Sequence, residues 1–207
     1  MGVYFRQYKE QDFEALEDIV RKTWHYDDLC SPKTAKQLAR VFLTSCLTNY
    51  TFSRVAIVDG EVQGVILVKD AASHRPTFQS RWRQSMAILR LLLSAEGRKV
   101  MDIFGSVSRV DEELLKEAGT KYAGELALFA LSESCRGQGI GKRLYEEGMR
   151  YLSYNGVDNF YLFTDTSCNY GFYEHQGLKR RVQRQKEVVV NGMKQGMNFF
   201  IYDNVQG

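Results

Sequence analysis

The sequence predicts a mixed α/β (α+β) domain, one central mixed, twisted β-sheet flanked by helices. Three observations predict it. An apolar run, Gly124 to Leu131, breaks into a glycine-spaced turn and then into an amphipathic segment with Ile140, Leu144, Gly148 and Leu152 on its inner line, so strand, turn and helix follow one another. Two tight-turn dipeptides, Asp59-Gly60 and Asn191-Gly192, each stand between strand-like stretches and read as hairpins. Strand and helix patterns alternate in the order β-α-α-β-β-(insertion)-β-α-β-α-β-β. The 207 residues, 44% of them hydrophobic, suffice for one substantial core. With two prolines and no low-complexity linker, a single domain over 1–207 is expected.

In chain order, Val3 to Tyr8 reads as a first strand. Asp12 is placed to cap a helix with Phe13, Leu16, Ile19, Val20 and Trp24 on one face. The cluster Trp24-His25-Tyr26-Asp27-Asp28 ends it. Ser31-Pro32 looks like an N-cap with proline in the first turn, opening a second helix with Leu38, Phe42, Cys46 and Leu47 inward. Arg54 to Val58 and Val62 to Val68 are the hairpin strands. The insertion, about 71–122, is expected to hold a helix over Ser80 to Leu93 with Trp82, Met86, Leu89 and Leu93 on a stripe. A short helix, Asp111 to Ala118, follows and closes at Gly119. Burial against an extra helical layer is the expected fate of Leu89 and Leu93. Because Ile88, Leu91 and Leu92 are apolar too, the stripe is wider than one packed face requires, and a substrate lid with Trp82 near its pocket, or a subunit interface, is the functional reading. Phe160 to Phe163 is a continuous apolar run suited to a strand covered on both faces. Asn169 to His175 stops at Gly177, and strands near Lys179 to Val190 and Met197 to Tyr202 complete the order.

Composition excludes several classes. A net charge of +3 gives no argument for nucleic acid or membrane, although Arg75 to Arg109 holds seven basic residues against Glu96 and Asp102. There is no apolar run of membrane-spanning length and no basic segment leading into an apolar one at the N-terminus, so a cytoplasmic location is expected. Cys30, Cys46, Cys135 and Cys168 are scattered, as are the three histidines, so neither a disulfide framework nor a metal site is expected.

The chemistry concentrates at Arg136-Gly137-Gln138-Gly139-Ile140-Gly141-Lys142. A glycine turn at a helix N-terminus presents free N–H groups and the positive end of the helix dipole to an anion. The P-loop pattern fails, since position 136 is Arg and Lys142 is followed by Arg143. The dinucleotide pattern fails because Lys142 stands where a third glycine is needed. What remains is [RQ]-x-x-G-x-[GA], met by Arg136, Gly139 and Gly141, and it resembles the acetyl-CoA pyrophosphate loop of the GNAT superfamily of N-acetyltransferases. FYEHQGL, from Phe172 to Leu178, is similar to a second segment of that family. The likeness covers nearly the whole chain outside the insertion and is nearest to bacterial members of unassigned substrate, chiefly through TDTSCNYGFYEH.

The resemblance implies the GNAT fold, with the insertion between the third and fourth strands, and transfer of an acetyl group from acetyl-CoA to a primary amine in a ternary complex, without metal. It places Phe129, Ala130 and Leu131 beside the pantetheine arm, with the Leu131 N–H nearest the oxyanion. It makes Tyr173 the acid that protonates the departing thiolate, the phenol pKa of about 10 lying close to a thiol's 8.5. Many members carry asparagine seven residues before that tyrosine; Thr166 stands there, and Asn169 lies four before. Helical spacing would put both on the side of Tyr173, within reach of the coenzyme. Glu125, six residues before Leu131, matches a glutamate base of histone-type members, and alternation would put it on the face of Phe129 and Leu131. Asp165, His25 and a water chain are alternative bases, and Asp27 and Asp28 could attract a cationic amine. The acceptor is a small-molecule or peptide amine, with nucleic acid and membrane not expected and a homodimer open. A non-catalytic acyl-CoA-binding or sensing module is the alternative reading, and a nucleic-acid-associated protein using the basic insertion is a third.

Overall fold

Among the described residues seven strands form one sheet: β1 (Val3–Arg6), β2 (Phe52–Val58), β3 (Glu61–Asp70), β4 (Gly124–Leu131), β5 (Phe160–Asp165), β6 (Lys179–Val190) and β7 (Met193–Asp203), in the spatial order β1-β2-β3-β4-β5-β7-β6. The computed structural model describes residues 2–190 and 193–205, so the expected Asn191-Gly192 turn lies outside the described residues. Neighbouring strands are antiparallel except β4 and β5. Those two run parallel and pair only at Gly124–Phe160 and Glu125–Tyr161. Beyond that point the sheet is split.

Helices cover both faces. On one face lie α1 (Phe13–Thr23), α2 (Pro32–Cys46), α3 (Phe78–Leu92) and α4 (Ala95–Ala118), around a core that includes Leu16, Val20, Leu38, Leu43, Val65, Leu67, Leu128 and Ala130. On the other face α5 (Ile140–Tyr154) and α6 (Gly171–His175) pack over Ile66, Val68, Leu126, Leu162, Phe200 and Tyr202. The inner line Ile140, Leu144, Gly148 and Leu152 is buried as expected. Gly148 is there for proximity: a Cβ would stand 2.8 Å from Ile66 Cδ1 and 3.2 Å from Val68 Cγ1, so α5 rides close on β3.

Asp12 precedes α1, but its carboxylate does not cap the helix. It is buried, accepting from both terminal nitrogens of Arg6 at 2.6 Å and from Lys9 N at 2.8 Å, because the β1 arginine outcompetes the helix N–H groups for it. Ser31 does stand as N-cap of α2 with proline at the first turn, while its hydroxyl is turned outward to Glu96 of α4 at 2.5 Å. Glu96 also accepts from Ser31 N and from the Thr34 hydroxyl, fastening the insertion to the start of α2.

The insertion departs from expectation in three ways. The short helix at Asp111 is the last part of a 24-residue helix that starts at Ala95, N-capped by the Ser94 hydroxyl. Gly97 and Gly105 weaken its propensity, yet tertiary packing overrides it: Val100 is buried in the α2 core, and Val110 and Leu114 against Phe199 and Ile201 of β7. Leu89 and Leu93 are exposed rather than buried, since α3 lays Ala87 and Leu91 inward and its outer side meets nothing among the described residues. Trp82 is exposed and stacks on Phe78, turned away from the sheet; α4, not α3, is the insertion's helix that reaches the sheet.

Candidate functional site

The loop after β4 has the features an anion needs. Gly137 and Gly139 sit at φ 74° and 75°, where only glycine is unstrained, and a Cβ at either would meet nothing, so the space above them is open. Ile140 begins α5 directly, and the N–H groups of residues 137–142 make no hydrogen bond among the described residues. Arg136, Gln138, Lys142 and Arg143 are exposed around them. Gly141 stands closer in, its Cβ position 3.6 Å from Phe129 Cζ and Leu131 Cδ2. The loop and the end of β4 form one surface.

That surface continues into the split of the sheet. Ser132 N donates to Gln63 O at 2.8 Å, so by strand alternation the Ala130 N–H points to β3 and those of Phe129 and Leu131 point to the opposite edge. β5 leaves this edge unpaired past Glu125. An extended chain bearing amides could add to it as a strand does.

Glu125 does not share a face with Phe129 and Leu131. The β3–β4 register shifts between Leu67–Leu128 and Val68–Leu126, leaving Ala127 as an extra residue. The bulge reverses the alternation: Leu126, Phe129 and Leu131 face α5, whereas Leu128 and Ala130 face α2. Glu125 therefore opens toward the α2 face, where Lys69 Nζ pairs with it at 2.5 Å and Asn49 Nδ2 donates at 3.0 Å.

Around Glu125 the fold assembles groups that sequence reading did not bring together. The Tyr161 hydroxyl lies against the carboxylate, and burial, then Glu125, push that phenol well above its ordinary value. Asp165, at the end of β5, accepts from Ser167 N at 2.7 Å and from the Ser167 hydroxyl. Asp111 arrives from α4, and burial first, then the charges of Asp165 and Glu125, raise its carboxyl to about 7. Cys168 influences both Tyr26 on the α2 side and Tyr173 on the α6 side, so it stands between the two faces; burial and Asp165 push its thiol up to about 11. Asp111 carried no signal in the sequence. An Asp-Glu-Glu run on a helix reads as solvent face, and only the path of α4 turns its first member inward.

Tyr173 lies across the split from β4. Its ring is buried, 6.5 Å from that of Phe129 and 6.2 Å from that of Tyr202. Burial, with smaller contributions from Cys168 and Tyr145, holds the phenol far above its usual range, so it is protonated at any physiological pH. α6 covers only Gly171–His175, so Thr166 and Asn169 share no helical face with it. Thr166 is engaged with β7, its N–H donating to Asn198 O at 3.0 Å and its hydroxyl accepting from Asn198 N at 3.3 Å. Asn169 is exposed and its side chain makes no hydrogen bond among the described residues. His25, at φ 51°, lines a separate cleft of about 510 Å³ with Asp18, Asp27, Asp28 and Glu133, between the end of α1 and the start of the loop. No group of histidine, cysteine or carboxylate residues able to hold a metal occurs among the described residues.

The chain matches the profile of the Acetyltransferase (GNAT) family over residues 13–178 and belongs to that family. Solved structures share its fold at low identity. They include ribosomal-protein-alanine N-acetyltransferase from Brucella melitensis (14% identity, TM-score 0.57, 98% of this chain and 99% of that one) and aminoglycoside 6'-acetyltransferase type Ii (14%, 0.52, 99% and 99%). A third is PaiA N-acetyltransferase from Thermoplasma acidophilum in complex with coenzyme A (15%, 0.50, 98% and 98%). No curated protein matches the chain.

Proposed function

We propose that the chain moves the acetyl group of acetyl-CoA to a cationic primary amine by direct transfer within a ternary complex. The observation that carries this reading is the run of free N–H groups over residues 137–142, continuous with the unpaired edge of β4. Acetyl-CoA would supply an acetyl thioester. Gly137 to Lys142 would hold its diphosphate through main-chain donors and the α5 dipole, with Arg136, Gln138 and Lys142 at the rim. Phe129, Ala130 and Leu131 would hold the pantetheine arm through the β4 backbone, and the Leu131 N–H would face the carbonyl oxygen. Asn169, rather than the engaged Thr166, is the side chain free to meet the arm.

The proton movements follow from the two faces of the split. An amine acceptor arrives as an ammonium ion, and Glu125, Asp165 and Asp111 favour its approach on the α2 side. The ammonium must lose a proton before its nitrogen attacks. Glu125 is held by Lys69 and Asn49, whereas the charged neighbours of Asp111 are both carboxylates. Asp111, with its carboxyl raised to about 7, is thus the better matched acceptor of that proton, and Glu125 orders the approach. As the carbon–nitrogen bond forms and the carbon–sulfur bond breaks, Tyr173 on the other face gives its proton to the sulfur, and the second proton that the nitrogen sheds on becoming an amide leaves to solvent, from which the tyrosinate is reprotonated. The four free thiols fit a reducing cytoplasm.

Calorimetric titration with acetyl-CoA tests the binding half. Gly141→Val should lose most of its affinity, because its side chain would crowd Phe129 and Leu131 where the loop meets the end of β4. Free-thiol release measured across polyamines, aminoglycosides, amino acids and peptide N-termini tests the chemistry. Tight coenzyme binding without release for any amine would favour a non-catalytic acyl-CoA-binding module.

A further inference from the structure

Helix α3 has two apolar faces, and the fold uses one. Ala87 and Leu91 pack inward, while Phe78, Trp82, Leu89, Leu92 and Leu93 are 83%, 59%, 51%, 36% and 76% exposed. At about 100° per residue these five fall within an arc of about 100°, opposite Ala87 and Leu91. They form a ridge about 22 Å long on the outermost layer of the protein. Single exposed apolar residues need no explanation, but an aligned row of five does.

The flanks of the ridge are cationic. Arg81 and Arg90 border the arc on either side, Arg75 is exposed just before the helix, and Arg98 and Lys99 are exposed just after it. No acidic residue occurs from Arg75 to Ala95. Glu96 is committed to Ser31 and Thr34, and among the described residues only Arg83 of these arginines has its charge answered, by Glu10 at 2.5 Å. Arg75 and Arg98 donate to main-chain carbonyls, which leaves their charge uncompensated.

We propose that this ridge seats the protein on an anionic lipid surface, with Phe78, Trp82, Leu89 and Leu93 entering the interface and Arg75, Arg81, Arg90 and Arg98 meeting the headgroup phosphates. Aromatic and leucine side chains between cations are what a helix lying in a membrane interface presents. A second copy of the chain fits less well, since self-pairing of the ridge sets arginine against arginine with no carboxylate between them. Nucleic acid would answer the arginines and leave five large apolar side chains against phosphate. The small net charge of the whole chain does not oppose the proposal. Charges are screened beyond about 10 Å, so a membrane responds to the local excess. Among the described residues no helix is long and apolar enough to cross a membrane.

Co-sedimentation of the full chain with phosphatidylcholine vesicles, with and without phosphatidylglycerol, tests this independently of any acceptor. Binding is expected to the anionic vesicles alone, reversed by high salt, with a blue shift of tryptophan emission that Trp82→Phe removes. Trp82→Ser combined with Leu93→Ser, both at exposed positions, should weaken binding by about tenfold or more without altering the melting temperature. Arg81→Gln with Arg90→Gln should weaken it too. Failure to bind anionic vesicles, or equal binding to neutral ones, would overturn the proposal. So would a dimer in analytical ultracentrifugation that Trp82→Ser dissociates, or RNA binding that the apolar substitutions leave intact.

Discussion

Asp111 offers the sharpest test of the acidic face, because its effect on stability has a calculable sign. Its carboxyl stands at about 7 in the folded chain against an ordinary 3.8. Between about pH 4 and pH 7, then, the folded state holds a proton that the unfolded state has released. Stability contributed by that proton is fully present below pH 4 and is lost as the pH rises through 7. The difference corresponds to at most about 4 kcal/mol, and relaxation of the surroundings would leave about 1–4 kcal/mol. Asp111→Asn cannot ionise and should escape the loss. At pH 8 the variant should melt several degrees above the parent, at about 2–4 °C per kcal/mol for a chain of this size, while at pH 4 the two should be close. Urea unfolding at both values gives the free energies directly. Parallel stability–pH curves for parent and variant would show that Asp111 ionises normally, and the account of α4 as the bearer of a proton acceptor would fall with it.

The remaining expectations concern the loop, the acid and the α5 seat. Gly139→Ala should weaken acetyl-CoA binding and cost about 1 kcal/mol of stability, because φ 75° is strained for any side chain; unchanged calorimetric affinity would count against the loop. Tyr173→Phe should lower turnover about 10²- to 10⁴-fold with the coenzyme Kd unchanged, and a full-rate variant would leave the tyrosine as packing. Gly148→Val should destabilise the fold by about 1–3 kcal/mol by driving α5 off Ile66 and Val68, measurable as a lower urea midpoint with an unaltered slope.

Some of this was written locally and some was not. The order of elements, the inner line of α5 and the glycine turn were legible because each depends on residues a few positions apart, where periodicity and backbone freedom act directly. The first half of α4 was not, since Gly97 and Gly105 argue against a helix and only burial of Val100 in the α2 core, and of Val110 and Leu114 against β7, overrides them. Asp12 illustrates the same limit. Its place before a helix suggested a cap, yet Arg6 on a neighbouring strand holds it more strongly than helix N–H groups would.

By itself the sequence determined that a strand, a glycine turn and a helix follow one another, and with FYEHQGL it carried the family resemblance. The tertiary structure alone decided which residues face each other across the split. One extra residue at Ala127 moves Glu125 from the Phe129 face to the α2 face, because a side-chain period of two is inverted by any single insertion. The long path of α4 turns Asp111 toward Glu125 and Asp165, and it leaves the outer side of α3 uncovered among the described residues. Such placements depend on contacts between residues far apart in the chain, which no local pattern encodes.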